Sequence, residues 1–250
     1  MTLTAYLDES GHETKDWGFI AGFYGNDDQW RQLVPLWQTA LGKRKKLHMN
    51  ELRWNYPRIK KLLDRLGPIP GKCKLTPVVG GVRVSDYEDL IAGTIDEKLM
   101  KGYIACLMPL VFQLLRVVPS DDRVDLIFEE QKEYEPYANL ALSALISLMN
   151  ESIPWGRGRD GLPKLSKWSF VPKDSTILTQ PADYFACALL QAYRDKNSKK
   201  TKWCQSILES GGGEGIGAIL KRQTIRRIIV GGQLITIYQI IQQRLKGFSK

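Results

Sequence analysis

The stretch Thr2-Leu3-Thr4-Ala5-Tyr6-Leu7-Asp8-Glu9-Ser10-Gly11 lies at the start of the chain and gives the first indication of its fold. Residues Thr2 to Asp8 have strand character, and they run into a polar turn signal that ends at Gly11. A second apolar run, Trp17 to Tyr24, follows and ends at Gly25-Asn26-Asp27. Two short strands around a polar turn predict a β-hairpin at the beginning of a sheet.

Strand-like and helix-like segments alternate beyond this hairpin. Short apolar runs predict three further strands, at Leu75–Val84, Val124–Phe128 and Leu165–Val171. Apolar residues at helical spacing predict one helix from an N-cap at Asp27 or Asp28 to Leu41, and others at Pro57–Leu66, Leu99–Val118, Tyr134–Met149 and Gln180–Tyr193. Such alternation is typical of a partly parallel sheet covered by helices, so we expect an α/β fold.

The composition changes after Arg194. A polar and basic segment, Asp195 to Lys202, precedes a glycine-rich stretch between Ser210 and Gly217. Helical spacing then predicts two helices, at about Ala218–Ile229 and Leu234–Leu245. We expect residues 1–195 to form one domain and residues 196–250 to form a helical extension packed on it. The alternative is that these C-terminal helices form the interface of a homodimer.

The bulk composition is that of an ordinary globular protein, with 43% hydrophobic and 25% charged residues in 250. Cys73, Cys106, Cys187 and Cys204 are far apart and form no C-x-x-C pair, which favours a reducing compartment. The N-terminus does not resemble a signal peptide, and the apolar run Ile104–Val118 is too short and too polar to span a bilayer. We therefore expect a cytoplasmic protein without a membrane partner.

The net charge of +9 favours a polyanionic partner, nucleic acid first, because lysine and arginine side chains neutralise phosphates and release counterions. Several kinds of catalytic site are excluded because the sequence lacks their motifs. With His12 and His48 as the only histidines there is no H-E-x-x-H zinc helix, and no G-x-S-x-G motif occurs. The segment Gly211–Gly217 matches neither a P-loop nor a dinucleotide fingerprint and has the composition of a linker.

The remaining candidates for chemistry are acidic. They lie at strand ends or helix starts, and they are Asp8, Glu9, Glu51, Glu129, Glu130 and Asp183. Carboxylates at the ends of strands can converge on one crevice, where they would bind hard cations such as Mg²⁺ or Mn²⁺. Each residue also has a simpler interpretation: a turn-forming aspartate, a glutamate favoured by a helix dipole, or solvated loop acids.

Four motifs occur in one order along the chain: Tyr6-Leu7-Asp8-Glu9-Ser10-Gly11, His48-Met49-Asn50-Glu51-Leu52, Phe128-Glu129-Glu130-Gln131 and Gln180-Pro181-Ala182-Asp183-Tyr184. This series resembles the bacterial and phage family called domain of unknown function 3800 (DUF3800), which is grouped with ribonuclease H-like folds. The resemblance runs from about residue 4 to residue 195. It implies a ribonuclease H-like mixed sheet flanked by helices.

The resemblance also implies a nuclease that hydrolyses phosphodiesters of DNA or RNA with one or two Mg²⁺ or Mn²⁺ ions. Asp8 would bridge the ions, Glu51, Asp183 and Glu129 would complete their ligands, and Glu130 is the alternative to Glu129. Glu9, Ser10 and His48 would lie around the metal ligands and support them. The basic run Lys43-Arg44-Lys45-Lys46 would bind the nucleic-acid backbone, unless it is simply a solvated charge run. The rival interpretation is a catalytically silent module on the same fold that binds nucleic acid or a protein.

Overall fold

The computed structural model describes residues 1–11, 16–52, 56–91, 102–152, 156–194 and 216–220. Six strands form one sheet: β1 (Thr2–Ser10), β2 (Trp17–Gly25), β3 (Thr76–Arg83), β4 (Arg123–Glu129), β5 (Leu165–Val171) and β6 (Ile216–Leu220). Their order across the sheet is β5-β4-β1-β2-β3-β6. Strands β1, β2 and β3 form an antiparallel meander, whereas β4 is parallel to β1, β5 to β4, and β6 to β3. The predicted α/β class with a mixed sheet is confirmed.

The predicted hairpin is the centre of this sheet. Thr4 lies opposite Gly25 and Ser10 opposite Phe19, so β1 and β2 pair along most of their length. Gly22 is required there, because a Cβ atom at that position would lie 1.9 Å from the carbonyl oxygen of Tyr6. The pairing leaves β1 between an antiparallel neighbour and a parallel one, which puts its last residues in the middle of the sheet.

Seven helices accompany the strands in the described residues. They are α1 (Asp27–Leu41), α2 (Pro57–Leu66), α3 (Ile69–Lys72), α4 (Val84–Ile91), α5 (Gly102–Val117), α6 (Glu135–Ser152) and α7 (Gln180–Arg194). Side chains of α4, α5 and α6 share one apolar core with Leu3, Ala5 and Leu7 of β1. Side chains of α1, α2 and α7 form a second core with Phe19, Ala21 and Phe23 of β2. The sheet is therefore covered by helices on both faces.

Several predicted boundaries need correction. The N-cap of α1 is Asn26 rather than Asp27 or Asp28, because the Asn26 side chain accepts from the Gln29 backbone N–H and the Gln29 side chain accepts from the Asn26 N–H. The short helices α3 and α4 were not predicted. Glu51 does not begin a helix but ends a single 3₁₀ turn, Met49–Glu51.

The C-terminal part of the chain differs from its prediction where it is described. A helix was expected from Ala218, but Ile216–Leu220 is a strand that pairs with β3 along its outer edge. The apolar run that starts at Ile216 can form a strand here because the edge of β3 provides backbone hydrogen-bond partners. The rest of the predicted extension, including the helix at 234–245 and the proposed homodimer interface, lies outside the described residues. None of the described helices is long and apolar enough to cross a membrane.

Candidate metal centre

Two of the predicted acids meet at the carboxyl ends of adjacent parallel strands. Leu7 of β1 lies opposite Phe128 of β4, and both side chains are buried in the core beneath α5 and α6. Because successive side chains along a strand alternate, the next residues, Asp8 and Glu129, face the opposite side of the sheet. Both are buried, with exposed fractions of 7% and 6%. The register of β1 and β4 thus places two carboxylates side by side.

A third predicted acid approaches from the helix that covers this face. Asp183 lies in the first turn of α7, whose Tyr184 and Phe185 are buried in the core that this helix shares with β2. Its Oδ2 accepts a hydrogen bond of 2.9 Å from the backbone N–H of Met49. The packing of α7 fixes the height of Asp183 above the sheet, and the bond from Met49 orients its carboxylate.

Burial and mutual repulsion raise the pKa values of these acids. Burial raises the pKa of Asp8 well above its usual range, and the charges of Glu9, Asp183 and Glu129 raise it further. Burial is also the main reason why the pKa of Asp183 rises to about 6, with Glu129 adding to it. Burial, followed by the charge of Glu129, raises the pKa of Glu9 to about 8. We call Asp8, Glu9, Glu129 and Asp183 the acidic cluster.

Glu9 has a larger part in this site than the sequence predicted. It was assigned a supporting position, yet its charge contributes to the pKa shift of Asp8 and it responds in turn to Glu129 and Asp183. Its neighbour Ser10 is the last residue of β1, is partly exposed and lies opposite Phe19. Motif position alone does not separate the two, because both lie within two residues of Asp8.

Lys173 was not predicted to belong to the site. Its Nζ lies 3.4 Å from Oε1 of Glu129, just after the end of β5. Since β5 is parallel to β4, with Val171 opposite Glu129, the residues that follow β5 reach the acidic cluster. No local signal marks this lysine in the sequence, and only strand order reveals its position.

The remaining predicted acids occupy different positions. Glu51 is exposed, and its charge acts on Lys46. It belongs to the same 3₁₀ turn as Met49, whose backbone N–H donates to Asp183. Glu130 is partly exposed, and its backbone N–H donates to the Val171 carbonyl oxygen. Of the two consecutive glutamates, Glu129 is the one whose charge raises the pKa values of the other cluster members.

The basic run lies beside the N-terminal end of α7. Lys43 to Lys46 are exposed, and Lys46 Nζ lies 2.7 Å from Oδ2 of Asp174. His48 is buried and places its Nε2 2.5 Å from Oδ1 of the same aspartate. Between them, the backbone N–H of Leu47 donates to the Gln180 side chain at 3.2 Å. These contacts fix the run next to the acidic cluster.

The acidic cluster offers carboxylate oxygens, which are the ligands that hard cations such as Mg²⁺ and Mn²⁺ prefer. By donor chemistry the side chains fit such an ion. Within the described residues, however, no three His, Cys, Asp or Glu side chains are already arranged to hold one. Mutual repulsion between the carboxylates and the pairing of Glu129 with Lys173 both favour a spread arrangement.

Sequence and structure were also compared with known proteins. Models of protein families, curated proteins and solved structures gave no match to this chain.

Proposed function

We propose that this chain is a divalent-metal-dependent nuclease that hydrolyses phosphodiesters of DNA or RNA. The proposal rests on one observation: Asp8 and Glu129 meet at the carboxyl ends of two adjacent parallel strands, and Asp183 faces them from α7. Carboxylates buried this close together are costly unless a cation offsets their charge. A bound divalent metal ion would offset this cost, and a metal-dependent activity would explain why the acids are kept together.

The sheet topology supports the ribonuclease H-like arrangement that the sequence resemblance implies. The meander of β1, β2 and β3 is followed by β4 and β5, which extend the sheet in parallel on the other side of β1. This order leaves the carboxyl ends of three parallel strands along one edge, where an open sheet forms its binding crevice. Asp8, Glu129 and Lys173 all come from this edge.

The residues of the chain have distinct tasks in this proposal. Asp8, Glu129 and Asp183 would hold Mg²⁺ or Mn²⁺, with Glu9 beside them and Glu51 at the edge. When bound, such an ion lowers the pKa of water and offsets charge on a phosphodiester. The backbone N–H of Met49 keeps Asp183 oriented. The exposed basic run would bind the phosphate backbone at the same end of α7.

The direct test is the Asp8→Asn variant, because the amide keeps the shape of the side chain and removes its charge. The parent should cleave labelled single- or double-stranded DNA or RNA with Mn²⁺ or Mg²⁺ and stop in chelator, and the variant should cleave at the background rate. The matched control is Asp125→Asn, which alters a buried aspartate of β4 that forms an ion pair with Lys167 and does not belong to the cluster. This control should cleave at the parent rate.

Two outcomes would contradict the proposal. Cleavage by Asp8→Asn at the parent rate would exclude the role of Asp8. A parent that neither binds Mn²⁺ nor cuts any DNA or RNA form would favour the silent binding module on the same fold. Circular dichroism and an unfolding curve for each variant show that loss of activity does not reflect loss of the fold.

A further inference from the structure

Lys173 reaches the acidic cluster from solvent. Strand β5 ends at Val171, and the turn Pro172–Ser175 is closed by a 3.0 Å bond from the Ser175 N–H to the Pro172 carbonyl oxygen. The Lys173 side chain is 55% exposed, whereas the Glu129 side chain that it meets is only 6% exposed. The ammonium group therefore lies at the boundary between the buried acids and the surrounding water.

The charge of Lys173 acts on more than one member of the cluster. Partial burial on its own would lower the pKa of Lys173, but the nearby charges of Glu129, Asp183 and Asp8 raise it above its ordinary value. Lys173 also lowers the pKa values of Glu9 and Asp183. One cation thus offsets part of the charge of four acids.

This pairing is easily exchanged. An ion pair with one largely exposed partner is weak, because water screens it and a long side chain loses freedom to form it. A divalent ion on the same carboxylates carries twice the charge and would repel the ammonium group. A lysine side chain is long and flexible enough to leave Glu129 without any backbone movement.

The backbone of the turn is fixed at the next residue. Asp174 is bound by both Lys46 and His48, and it adopts the left-handed conformation at φ 67°. A non-glycine residue in that region is uncommon and requires support from its surroundings. The turn therefore holds the Cα atom of Lys173 between the acidic cluster on one side and the basic run on the other.

We propose that Lys173 has two alternative partners: it neutralises Glu129 in the ion-free protein, and it binds a substrate phosphate when a divalent ion occupies the cluster. This inference rests on the proposed nuclease function and adds a phosphate-binding residue to it. The exchange is noncovalent and involves no proton transfer. It places the phosphodiester between Lys173 and the basic run, because both adjoin the same turn.

The test compares Lys173→Gln and Lys173→Arg with the control Lys167→Gln. Lys167 lies on β5, the strand that precedes Lys173, and it forms an ion pair of similar length, 3.3 Å, with Asp125, which precedes Glu129 by four residues. Four residues of strand span about 13 Å, so this control removes an equal charge outside the cluster. Two quantities are measured: the Kd for Mn²⁺ by calorimetry, and the Kd for a labelled oligonucleotide in Ca²⁺ at several salt concentrations.

We expect Lys173→Gln to change the affinities for Mn²⁺ and for the oligonucleotide in opposite directions. Lys173→Gln should bind Mn²⁺ about three- to tenfold more tightly, because a competing positive charge is gone. It should bind the oligonucleotide about fivefold more weakly, with a salt slope smaller by about one. Lys173→Arg should recover oligonucleotide affinity, and Lys167→Gln should change neither affinity.

The other possible results separate an error about Lys173 from an error about the nuclease function. If the parent binds Mn²⁺ but Lys173→Gln changes neither affinity, or changes both no more than Lys167→Gln, the role of Lys173 is wrong and the nuclease proposal stands. If the parent binds no Mn²⁺ at all, the nuclease proposal fails, and the inference about Lys173 fails with it. An ion pair with a purely structural role would lower the stability of Lys173→Gln without tightening Mn²⁺ binding.

Discussion

Single side chains in the acidic cluster make the stability of the ion-free protein depend on pH. The pKa of Glu9 rises to about 8 from an ordinary value of 4.5, mainly through burial. The folded protein therefore keeps a proton on Glu9 that the unfolded chain has lost. The protonated Glu9 side chain makes its full contribution to the free energy of unfolding below about pH 4.5. That contribution is lost as the pH rises through about 8. Asp183, with a pKa of about 6, acts in the same direction at lower pH.

We predict that the ion-free parent becomes less stable between about pH 6 and about pH 8, by up to about 1.4 kcal/mol per pH unit for each such proton. Glu9→Gln cannot ionise, so its decline should be shallower. Glu88→Gln, which alters an exposed glutamate on α4, should follow the parent. Urea unfolding in chelator at the two pH values measures the difference. Stability that rises with pH, or identical slopes for Glu9→Gln and the parent, would contradict the raised pKa of Glu9.

The turn between β5 and α7 is the element that joins the basic run to the cluster. Asp174 combines two contributions there: the pairing of its carboxylate with Lys46 and His48, and its left-handed backbone. Asparagine tolerates that backbone conformation at least as well as aspartate, whereas alanine does not. Replacing Asp174 with asparagine therefore tests the loss of charge alone, whereas replacing it with alanine adds backbone strain.

We predict that Asp174→Asn costs about 1 kcal/mol in the free energy of unfolding, since it loses the charge but keeps the turn. Asp174→Ala should cost about 1–2 kcal/mol more, because a Cβ-bearing residue without a local polar contact is strained at positive φ. Chemical unfolding of both variants measures this order. Equal costs would mean that the conformation of Asp174 contributes nothing to the stability of the turn.

The distribution of charge over the whole protein bears on the proposed nucleic-acid partner. The net charge is +9 although the acidic cluster is concentrated at one edge of the sheet, so in the proposed nuclease the basic residues would offset the repulsion between phosphate and this locally negative site. Lys43, Arg44 and Lys45 are exposed next to that edge, whereas Lys46 is paired with Asp174. In the proposed nuclease, these three exposed residues would contact the nucleic-acid backbone.

We predict that replacing Lys43, Arg44 and Lys45 with glutamine weakens binding to all oligonucleotide sequences and reduces the salt slope by about two to three. The control replaces three exposed basic residues elsewhere, Arg116, Arg159 and Lys167, and should leave the slope closer to that of the parent. Fluorescence anisotropy at several salt concentrations measures both. If the parent binds no DNA or RNA even at low salt, the polyanion argument fails and a protein-interaction module becomes the better interpretation.

Local sequence patterns were sufficient for the elements that depend on near neighbours. The helix Pro57–Leu66 and the strand Leu165–Val171 agree with their predicted bounds, and the hairpin forms as predicted, with strands that extend to Ser10 and Gly25. Strand alternation, helical spacing and turn residues act over a few positions, so local sequence is enough for these elements. The motif order also identified Asp8, Glu129 and Asp183, which the fold brings to one place. Their roles as metal ligands stay predictions.

Only the tertiary structure decided which other side chains join these acids. Lys173 and Glu9 lie in the cluster because β5 aligns with β4 and because β1 ends between two neighbours, and neither fact is encoded in nearby residues. Glu51 is exposed at the end of the 3₁₀ turn that carries Met49, the residue whose backbone N–H donates to Asp183. The segment Ile216–Leu220 is a strand because β3 offers it an edge. Strand register and sheet edges depend on contacts distant in sequence, and local propensity does not determine them.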